Sequence, residues 1–405
     1  MQTRPATAQI PASNLGADSG TALTKGMSRP LKIALILNSS WNIVNFRSGL
    51  VNAIQARGHQ VLALSPHDAH TDRLKTLGCD HANLPMQTTG LNPIADITLL
   101  VRLLLILRKE QPDVILSYTI KPNIYGSLAA RVLGIPVINN VAGLGMAFTR
   151  EGWLKTLVSR LFRFAFAKSH TIFFQNEDDR RMFVDKRLAS EHQTVRLPGS
   201  GVDLDKFRPP HRRPHSGGMT FILVARLLRE KGVADFVAAA RLLRSDFPNA
   251  SWRIVGFLEP NHPAFVSESE MHTWVTEGTV TFDGPRDDVR QALCEADCMV
   301  LPSYYREGVP RSLLEAAAMG LPLITCDTVG CRDAVTAGTS GLLCAPRDPT
   351  DLARCMRQIL EMSEEARAAM GREGRLKMER EFGESRIVEA YMDAITRASA
   401  MSSSI

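Results

Sequence analysis

Short apolar runs of strand length alternate with longer stretches of helical periodicity along most of the chain. One such helical pattern spans 46–57, and Gly58 ends it. Continuously apolar strands separated by helices are typical of a parallel sheet covered on both faces. In the first half, the runs that we predict to be strands are 31–37, 59–64, 114–117, 135–139, 171–174 and 194–197.

The alternation stops at 208–218 (RPPHRRPHSGG), where prolines and glycines replace the hydrophobic periodicity, and then restarts. The strands predicted beyond it are 219–225, 252–255, 280–282, 298–301, 321–325 and 341–344, before a helical tail that starts at 351. The prediction is an α/β protein with two doubly wound Rossmann-like domains facing a cleft. Its parts are a disordered leader 1–28, a first domain 29–207, a linker 208–218, a second domain 219–382 and a helix 383–405, with a return of that helix to the first domain as one option.

The composition indicates a soluble globular protein but does not select a function. The 405 residues are 44% hydrophobic and 22% charged, as expected of a soluble globular chain, and the net charge of +6 favours anionic partners. The seven scattered cysteines contain no CxxC pair, so we expect buried thiols in a reducing cytosol rather than a zinc site. No apolar window is long enough to span a bilayer. The longest apolar run, 97–107, carries Arg102 and is interpreted as a buried helix face.

The loop after the predicted strand 298–301 is a candidate anion site. It reads PSYYREGVPRSLLEAAAMG, in which a glycine-containing turn leads into a helix opened by a proline. Such a turn presents backbone N–H groups together with the positive end of the helix. Glu307 precedes the helix, and Glu315 lies inside it, where it is placed to bind a diol. The N–H groups that we predict to be free are those of Gly308, Val309 and Arg311.

Two cations follow the first strand of the second domain. Arg226 lies at its carboxyl end, and Lys231 follows five residues later, just before Gly232. Converging there, they would neutralise a diphosphate and stabilise it as a leaving group.

These residues carry a resemblance to a known family. Glu307 and Glu315, with Arg226 and Lys231 upstream, resemble the donor site of the family-4 glycosyltransferases, which are retaining enzymes of the GT-B fold. The similarity covers nearly the whole chain after Met27. The further stretches that match are LPGSGVDLDKF (197–207), FDGPRDDV (282–289), GCRDAV (330–335) and GLLCAPRDP (341–349).

The resemblance implies a role for each donor-side residue. The second domain would bind a nucleotide-sugar, with a UDP-sugar such as UDP-hexose or UDP-HexNAc expected. Arg226 and Lys231 would bind its diphosphate, and Glu315 would bind the ribose hydroxyls. Glu307 would bind sugar hydroxyls and support oxocarbenium character, and the amides of Gly308 and Val309 would complete the pocket. Glu307, Arg226 and Lys231 are thus the expected catalytic residues, and no separate general base is implied.

The first half resembles the branch of this family that acts on polyprenyl-diphosphate-linked sugars in surface polysaccharide or glycan assembly. The matching stretches are NFRSGL (45–50) and SYTIKPNIYGSLAARVLGIP (117–136). The implied acceptor-binding residues are Asn45, Arg47, Tyr118 and Lys121. Tyr118 stands where many relatives have a histidine, so no histidine role carries over, whereas Lys121 matches and would contact the acceptor diphosphate.

A metal ion is not expected. Asp203 and Asp205 form a DxD pair, but this pair belongs to the approach to the hinge, and two cations already supply the counter-charge. We therefore predict no essential metal. We also predict no cofactor and no nucleic-acid partner.

The stretch 152–168 (GWLKTLVSRLFRFAFAK) is basic and amphipathic, with no acid. It predicts either a helix in an anionic membrane interface or a helix that covers the first sheet. A lipid-linked acceptor favours the first, and with it a peripheral location on the cytoplasmic face of the inner membrane.

Three other functions remain for comparison. A GT-B sugar-nucleotide 2-epimerase would share the nucleotide cleft but take no acceptor, and a binding subunit would keep the fold without turnover. A dinucleotide-binding oxidoreductase is disfavoured because 38–46 (NSSWNIVNF), after the first strand, contains no glycine.

Overall fold

The computed structural model describes residues 29–87, 92–143, 153–210, 217–259, 262 and 264–402. These residues form two parallel sheets, of seven and six strands. The predicted leader 1–28, positions 211–216 of the predicted linker, and Gly152 of the basic stretch lie outside the described residues.

The first sheet has the strand order β3-β2-β1-β4-β5-β6-β7. Its strands are β1 Lys32–Ile36, β2 Gln60–Ser65, β3 Asp80–Asn83, β4 Val114–Tyr118, β5 Val137–Val141, β6 Thr171–Phe174 and β7 Thr194–Arg196. The helices among them are α1 Ser40–Phe46, α2 Ser48–Ala56, α3 Thr71–Thr76, α4 Pro93–Glu110, α5 Ser127–Leu133, α6 Trp153–Phe166 and α7 Glu177–Asp185. A π-helical turn, Pro122–Gly126, leads into α5.

Side chains of β1 alternate between two cores, as a strand buried on both faces requires. Ile33 and Leu35 pack with α2, whereas Ala34 and Ile36 pack with α4 and α5. Local signals set the helix ends: Asn92 caps α4 by accepting the N–H of Ala95, and a proline follows it at the first helical position.

The second sheet has the order β10-β9-β8-β11-β12-β13. Its strands are β8 Thr220–Val224, β9 Ser251–Val255, β10 Thr281–Phe282, β11 Cys298–Leu301, β12 Leu323–Cys326 and β13 Gly341–Cys344. Its helices are α8 Val233–Leu243, α9 Glu268–Thr276, α10 Arg290–Cys294, α11 Arg311–Ala318, α12 Pro349–Glu361 and α13 Glu364–Lys377, and a π-helical turn Met378–Phe382 ends the series. Phe221 and Leu223 of β8 face one core, and Ile222 and Val224 face the other.

The chain then returns to the first sheet as helix α14, Glu384–Ser402. The crossing lies beside Val202, whose N–H and C=O bond to Phe382 O and Glu384 N. Ile387 and Tyr391 of α14 pack in the same core as β1 and β4, and the Tyr391 hydroxyl accepts a hydrogen bond from Asn140 Nδ2 at 2.8 Å.

The predicted α/β class is confirmed, with two corrections. β3 was not predicted, and the predicted helix 46–57 corresponds to α2 alone, which is preceded by an unpredicted helix, α1, that ends at Phe46. Six of the seven cysteines are buried and Cys294 is half-buried, which confirms the expectation of buried thiols. In the described part of the chain, no helix combines the length and apolar character needed to cross a bilayer.

Candidate active site

Two loops meet at the carboxyl edge of the second sheet because they follow neighbouring strands, β8 and β11. The 3₁₀ turn Arg229–Lys231 comes after β8, and residues 302–310 come after β11. Gly232 has φ 73°, and a Cβ atom there would lie 2.2 Å from the carbonyl oxygen of Pro302. Any side chain at this position would separate the two loops.

Lys231 and Glu307 form a shielded ion pair where the loops meet. Lys231 Nζ lies 2.6 Å from each carboxylate oxygen of Glu307, and Ser303 Oγ donates to Oε1 at 2.9 Å. Lys231 is only 8% exposed, and its Nζ lies 5.8 Å from the centroid of the Tyr305 ring. Limited access to water and three fixed contacts hold the carboxylate in one orientation.

Arg226 lies at the end of β8 and is the more exposed of the two predicted cations. Its Nη1 is 3.3 Å from Glu259 Oε2. Burial raises the pKa of Tyr305, and the positive charge of Arg226 acts in the opposite direction. Arg226 and Lys231 thus both contribute positive charge to the environment of Tyr305.

Glu315 lies one turn after Arg311 in α11, and the two side chains are paired. Arg311 Nε donates to Glu315 Oε1 at 2.9 Å, and both side chains are largely buried. Burial raises the pKa of Glu315, and the charge of Arg311 is the main opposing influence. The Arg311 guanidinium also lies 5.4 Å from the ring centroid of Phe46, so this carboxylate sits at the boundary with the first domain.

The Gly308 N–H is not free, which corrects the sequence-based expectation. It donates to the carbonyl oxygen of Ala142, in the loop after β5, at 3.1 Å. Gly143, at φ 104°, and Gly308 both permit this approach: a Cβ atom on Gly308 would lie 1.9 Å from Gln175 Oε1. Val309 is buried in the core of the second domain. The turn therefore contacts the opposite domain through Gly308, and open donors at Val309 and Arg311 stay a prediction.

A buried salt bridge adds to this contact between the domains. Arg306 donates to Oδ1 of Asp179 from Nε at 2.9 Å and from Nη2 at 2.7 Å, and Asp179 is fully buried at the start of α7. Asn176 Nδ2 donates to the other oxygen of the same carboxylate. A carboxylate without access to water requires such partners, so Arg306 ties the loop after β11 to the first domain.

The four residues predicted for the acceptor lie in the first domain, but not as one cluster. The Arg47 guanidinium stacks 4.5 Å from the ring centroid of Tyr118, which is buried, and burial raises the pKa of Tyr118. Asn45 Nδ2 donates to a backbone carbonyl of its own helix. Lys121 pairs with Asp96 of α4 at 2.7 Å. Their contact with an acceptor stays a prediction.

The DxD pair has structural partners. Asp203 Oδ1 accepts the N–H groups of Asp205 and Lys206, both at 2.9 Å, and Asp205 pairs with Arg208 at 2.6 Å. Within the described ranges, no three histidine, cysteine or acidic side chains converge as metal ligands. Metal independence remains a prediction.

Family models match both halves of the chain. The model described as "Glycosyl transferase 4-like" matches residues 32–176, and the one described as "Glycosyl transferases group 1" matches residues 218–362. The chain is a family-4 glycosyltransferase. The matched ranges contain the carboxyl ends of β8 and β11, and hence the ion pair of Lys231 with Glu307.

Relatives of this glycosyltransferase include enzymes named for lipid-linked acceptors. The N,N'-diacetylbacillosaminyl-diphospho-undecaprenol alpha-1,3-N-acetylgalactosaminyltransferase of Campylobacter jejuni is 27% identical over 82% of this chain and 90% of its own. The UDP-Gal:alpha-D-GlcNAc-diphosphoundecaprenol alpha-1,3-galactosyltransferase of Escherichia coli is 27% identical over 61% of this chain and 66% of its own.

Solved structures show the same fold. HepE of Anabaena, crystallised with UDP, aligns with a TM-score of 0.74 at 17% identity over 91% of this chain and all of its own. Sucrose-phosphate synthase of Thermosynechococcus elongatus aligns with a TM-score of 0.75 at 19% identity, over 92% of this chain and all of its own. The glycosyltransferase therefore has the GT-B fold, as predicted.

Sequence reasoning missed three residues of the loop after β11: Ser303, Tyr305 and Arg306. Their signal was their position, since polar side chains directly after a parallel strand lie at the ligand-binding edge of the sheet. The partner of Arg306 had no such signal, because Asp179 lies 127 residues away in the other domain.

Proposed function

We propose that this glycosyltransferase moves a hexosyl or N-acetylhexosaminyl group from a UDP-sugar to a polyprenyl-diphosphate-linked sugar, with retention of configuration and without a metal ion. The product would enter surface polysaccharide or glycan assembly. The ion pair of Lys231 with Glu307 carries the proposal, because it brings together a cation suited to a phosphate and a carboxylate suited to sugar hydroxyls.

The contacts of Lys231 allow it to orient the Glu307 carboxylate and to bind a phosphate at the same time. An ammonium group has three N–H donors, and the Glu307 carboxylate accepts from it with both oxygens, so one donor remains to point at a diphosphate oxygen. As the bond from the sugar C1 to the diphosphate oxygen breaks, the electron pair stays on that oxygen, where Lys231 and Arg226 stabilise the charge. The acceptor hydroxyl bonds to C1 on the same face, and its proton passes to the departing diphosphate.

The acceptor assignment is supported by two relatives whose names specify diphospho-undecaprenol-linked sugars. Asn45, Arg47, Tyr118 and Lys121 of the first domain are proposed to bind the acceptor, with Lys121 contacting its diphosphate. A lipid-linked acceptor would require peripheral contact with an anionic membrane.

A thermal-shift comparison of UDP, GDP, ADP and NAD, each with and without EDTA, tests the donor. A ligand at 100 times its Kd adds about 2.7 kcal/mol to the free energy of unfolding. We expect UDP to stabilise the protein most, equally with EDTA. Stabilisation that EDTA removes would contradict metal independence, and a GDP or ADP preference would change the donor.

A transfer assay separates the alternatives. UDP-sugars are incubated with a polyprenyl-diphosphate-linked sugar, and the anomeric configuration of the product is read by NMR. A product that forms only with the acceptor and keeps the donor configuration is expected. Conversion of the UDP-sugar without acceptor would indicate a 2-epimerase, and UDP binding without turnover of any donor would indicate a binding subunit.

A further inference from the structure

Helix α4 exposes an apolar stripe in addition to its buried face. Leu99, Leu103 and Leu107 pack into the first domain, which confirms part of the predicted buried face. The opposite side is exposed, which corrects the rest of that prediction. Its large aliphatic side chains are between 48% and 78% exposed, and at spacings of three and four residues they share one side of the helix. We call them the α4 stripe: Ile94, Ile97, Val101 and Leu105.

Two further helices of the first domain, α5 and α6, also expose a large apolar side chain. Val132 of α5, a helix that packs against α4, is also exposed, as is Phe164 of α6. The Arg131 guanidinium of α5 lies 4.6 Å from the ring centroid of Phe164 and so connects the two helices. Several large apolar side chains exposed on packed helices are typical of an interaction site.

The exposed charges on helices α4, α5 and α6 are of one sign. The acids of α4 are already engaged: Asp96 is buried against Lys121, and Glu110 pairs with Lys32 at 2.6 Å. Helices α5 and α6 contain no acid. The exposed cations are Arg102, Arg108 and Lys109 on α4, Arg131 on α5, Arg160 and Arg163 on α6, and Lys168 just beyond α6.

We propose that the α4 stripe inserts into the headgroup–acyl boundary of an anionic lipid bilayer while the flanking cations contact lipid phosphates. Apolar surface bordered by cations has the chemistry of an interfacial helix. A two-fold dimer through the same surface would place the cations of one copy opposite those of the other, and their repulsion would weaken the dimer. The charges thus favour the bilayer over a second copy.

The position of the stripe fits the proposed acceptor, and this part rests on the proposed function. Asp96 immediately precedes Ile97 in α4, and it holds Lys121, the residue proposed for the acceptor diphosphate. Lys121 therefore contacts the buried side of the same helix that exposes the stripe on its other side. Helix α6 instead buries Val158, Phe162, Ala165 and Phe166, so much of its predicted membrane face is core.

Vesicle co-sedimentation tests the proposal with the full chain. The probes are vesicles of phosphatidylglycerol with phosphatidylethanolamine, and vesicles of phosphatidylcholine. The variant I97Q/V101Q/L105Q should lower the partition coefficient for anionic vesicles about 100- to 1000-fold, since each of the three partly inserted aliphatic side chains contributes roughly five- to tenfold. The control L242Q/V275Q/L376Q changes three aliphatic residues of the second domain that are between 40% and 52% exposed, and it should bind like the wild type.

Reversing two flanking charges, in R102E/K109E, should weaken binding to anionic vesicles roughly fivefold per charge removed, and salt should do the same. Equal binding of the wild type and the stripe variant would overturn the proposal, as would a wild-type dimer that the stripe variant converts to monomer. The response to UDP is measured on the same samples. Lost vesicle binding with an intact UDP response supports the stripe, whereas a wild type without any UDP response counts against the proposed function alone.

Discussion

The ion pair of Lys231 with Glu307 should stabilise the second domain far more than an exposed pair of equal length. At the observed 2.6 Å and an effective dielectric constant of about 20, the gross attraction is about 6 kcal/mol, before the cost of removing both groups from water. Removing one partner of such a pair costs about 3–5 kcal/mol, because the other charge stays buried. Ser303 still donates to Glu307 in Lys231→Met, so we expect the lower end of that range.

A double-mutant cycle measures the coupling between the two side chains. Lys231→Met, Glu307→Gln and the double variant are compared by hydrogen exchange of the β8 and β11 amides, which reports the stability of that sheet rather than of the whole chain. The expected coupling energy is about 2–3 kcal/mol. The control cycle uses Arg241 and Glu277, in which Nη2 and Oε2 are also 2.6 Å apart.

The side chains of the control pair are 42% and 39% exposed, against 10% for Lys231 and 17% for Glu307. Its coupling should be below about 1 kcal/mol. If the two cycles gave equal couplings, or if the Lys231 and Glu307 variants were additive, shielding from water would not be what makes the pair strong, and the reasoning would fail.

Three further predictions concern the boundary between the domains. Arg306→Ala leaves the fully buried Asp179 carboxylate without its cation and should lower the free energy of unfolding by about 3 kcal/mol in urea titrations; an unchanged midpoint would contradict the buried bridge. Burial raises the pKa of Glu315 above its ordinary value of 4.5, so the folded state binds the proton more tightly, and stability is lost as pH rises from there through the folded pKa. Glu315→Gln should therefore gain stability relative to the wild type as pH rises above 4.5 while it weakens UDP binding in calorimetry, and a pH-independent difference would refute this account. Gly308→Ala places a methyl group against Gln175 and should cost about 1–3 kcal/mol by hydrogen exchange, with recovery when Gln175→Ala is added; no recovery would assign the cost to the backbone instead.

The core strands were predictable because a parallel sheet buries both faces and leaves an uninterrupted apolar run. All six strands of the second sheet lie at their predicted positions to within two residues. Strand β3 was not, because its sequence DHAN contains no apolar run: it is an edge strand whose pairing with β2 depends on tertiary context.

In the candidate site too, the positions of residues after strands were predictable, whereas contacts between loops were not. Lys231 and Glu307 were predictable as residues of one site, because both follow strands of one sheet. That they contact each other, and that the Gly308 N–H is used by Ala142, depends on the approach of loops from separate parts of the chain. The exposed stripe of α4 was missed for a related reason: a helix with aliphatic residues on both sides gives no sign of which side faces the sheet.

Helix α14 has a consequence for the synthesis of the chain. Asn140 and Tyr391 are hydrogen-bonded across 251 residues, so the first domain is emerging from the ribosome long before its covering helix exists. At about 5–20 residues per second, this interval lasts roughly 10–50 s. Throughout it, the face of the first sheet that includes Leu35, Leu116 and Phe173 lacks its α14 layer and is open to other nascent chains and to chaperones. The domain that is translated first is thus completed last, and premature termination in the second domain would damage both.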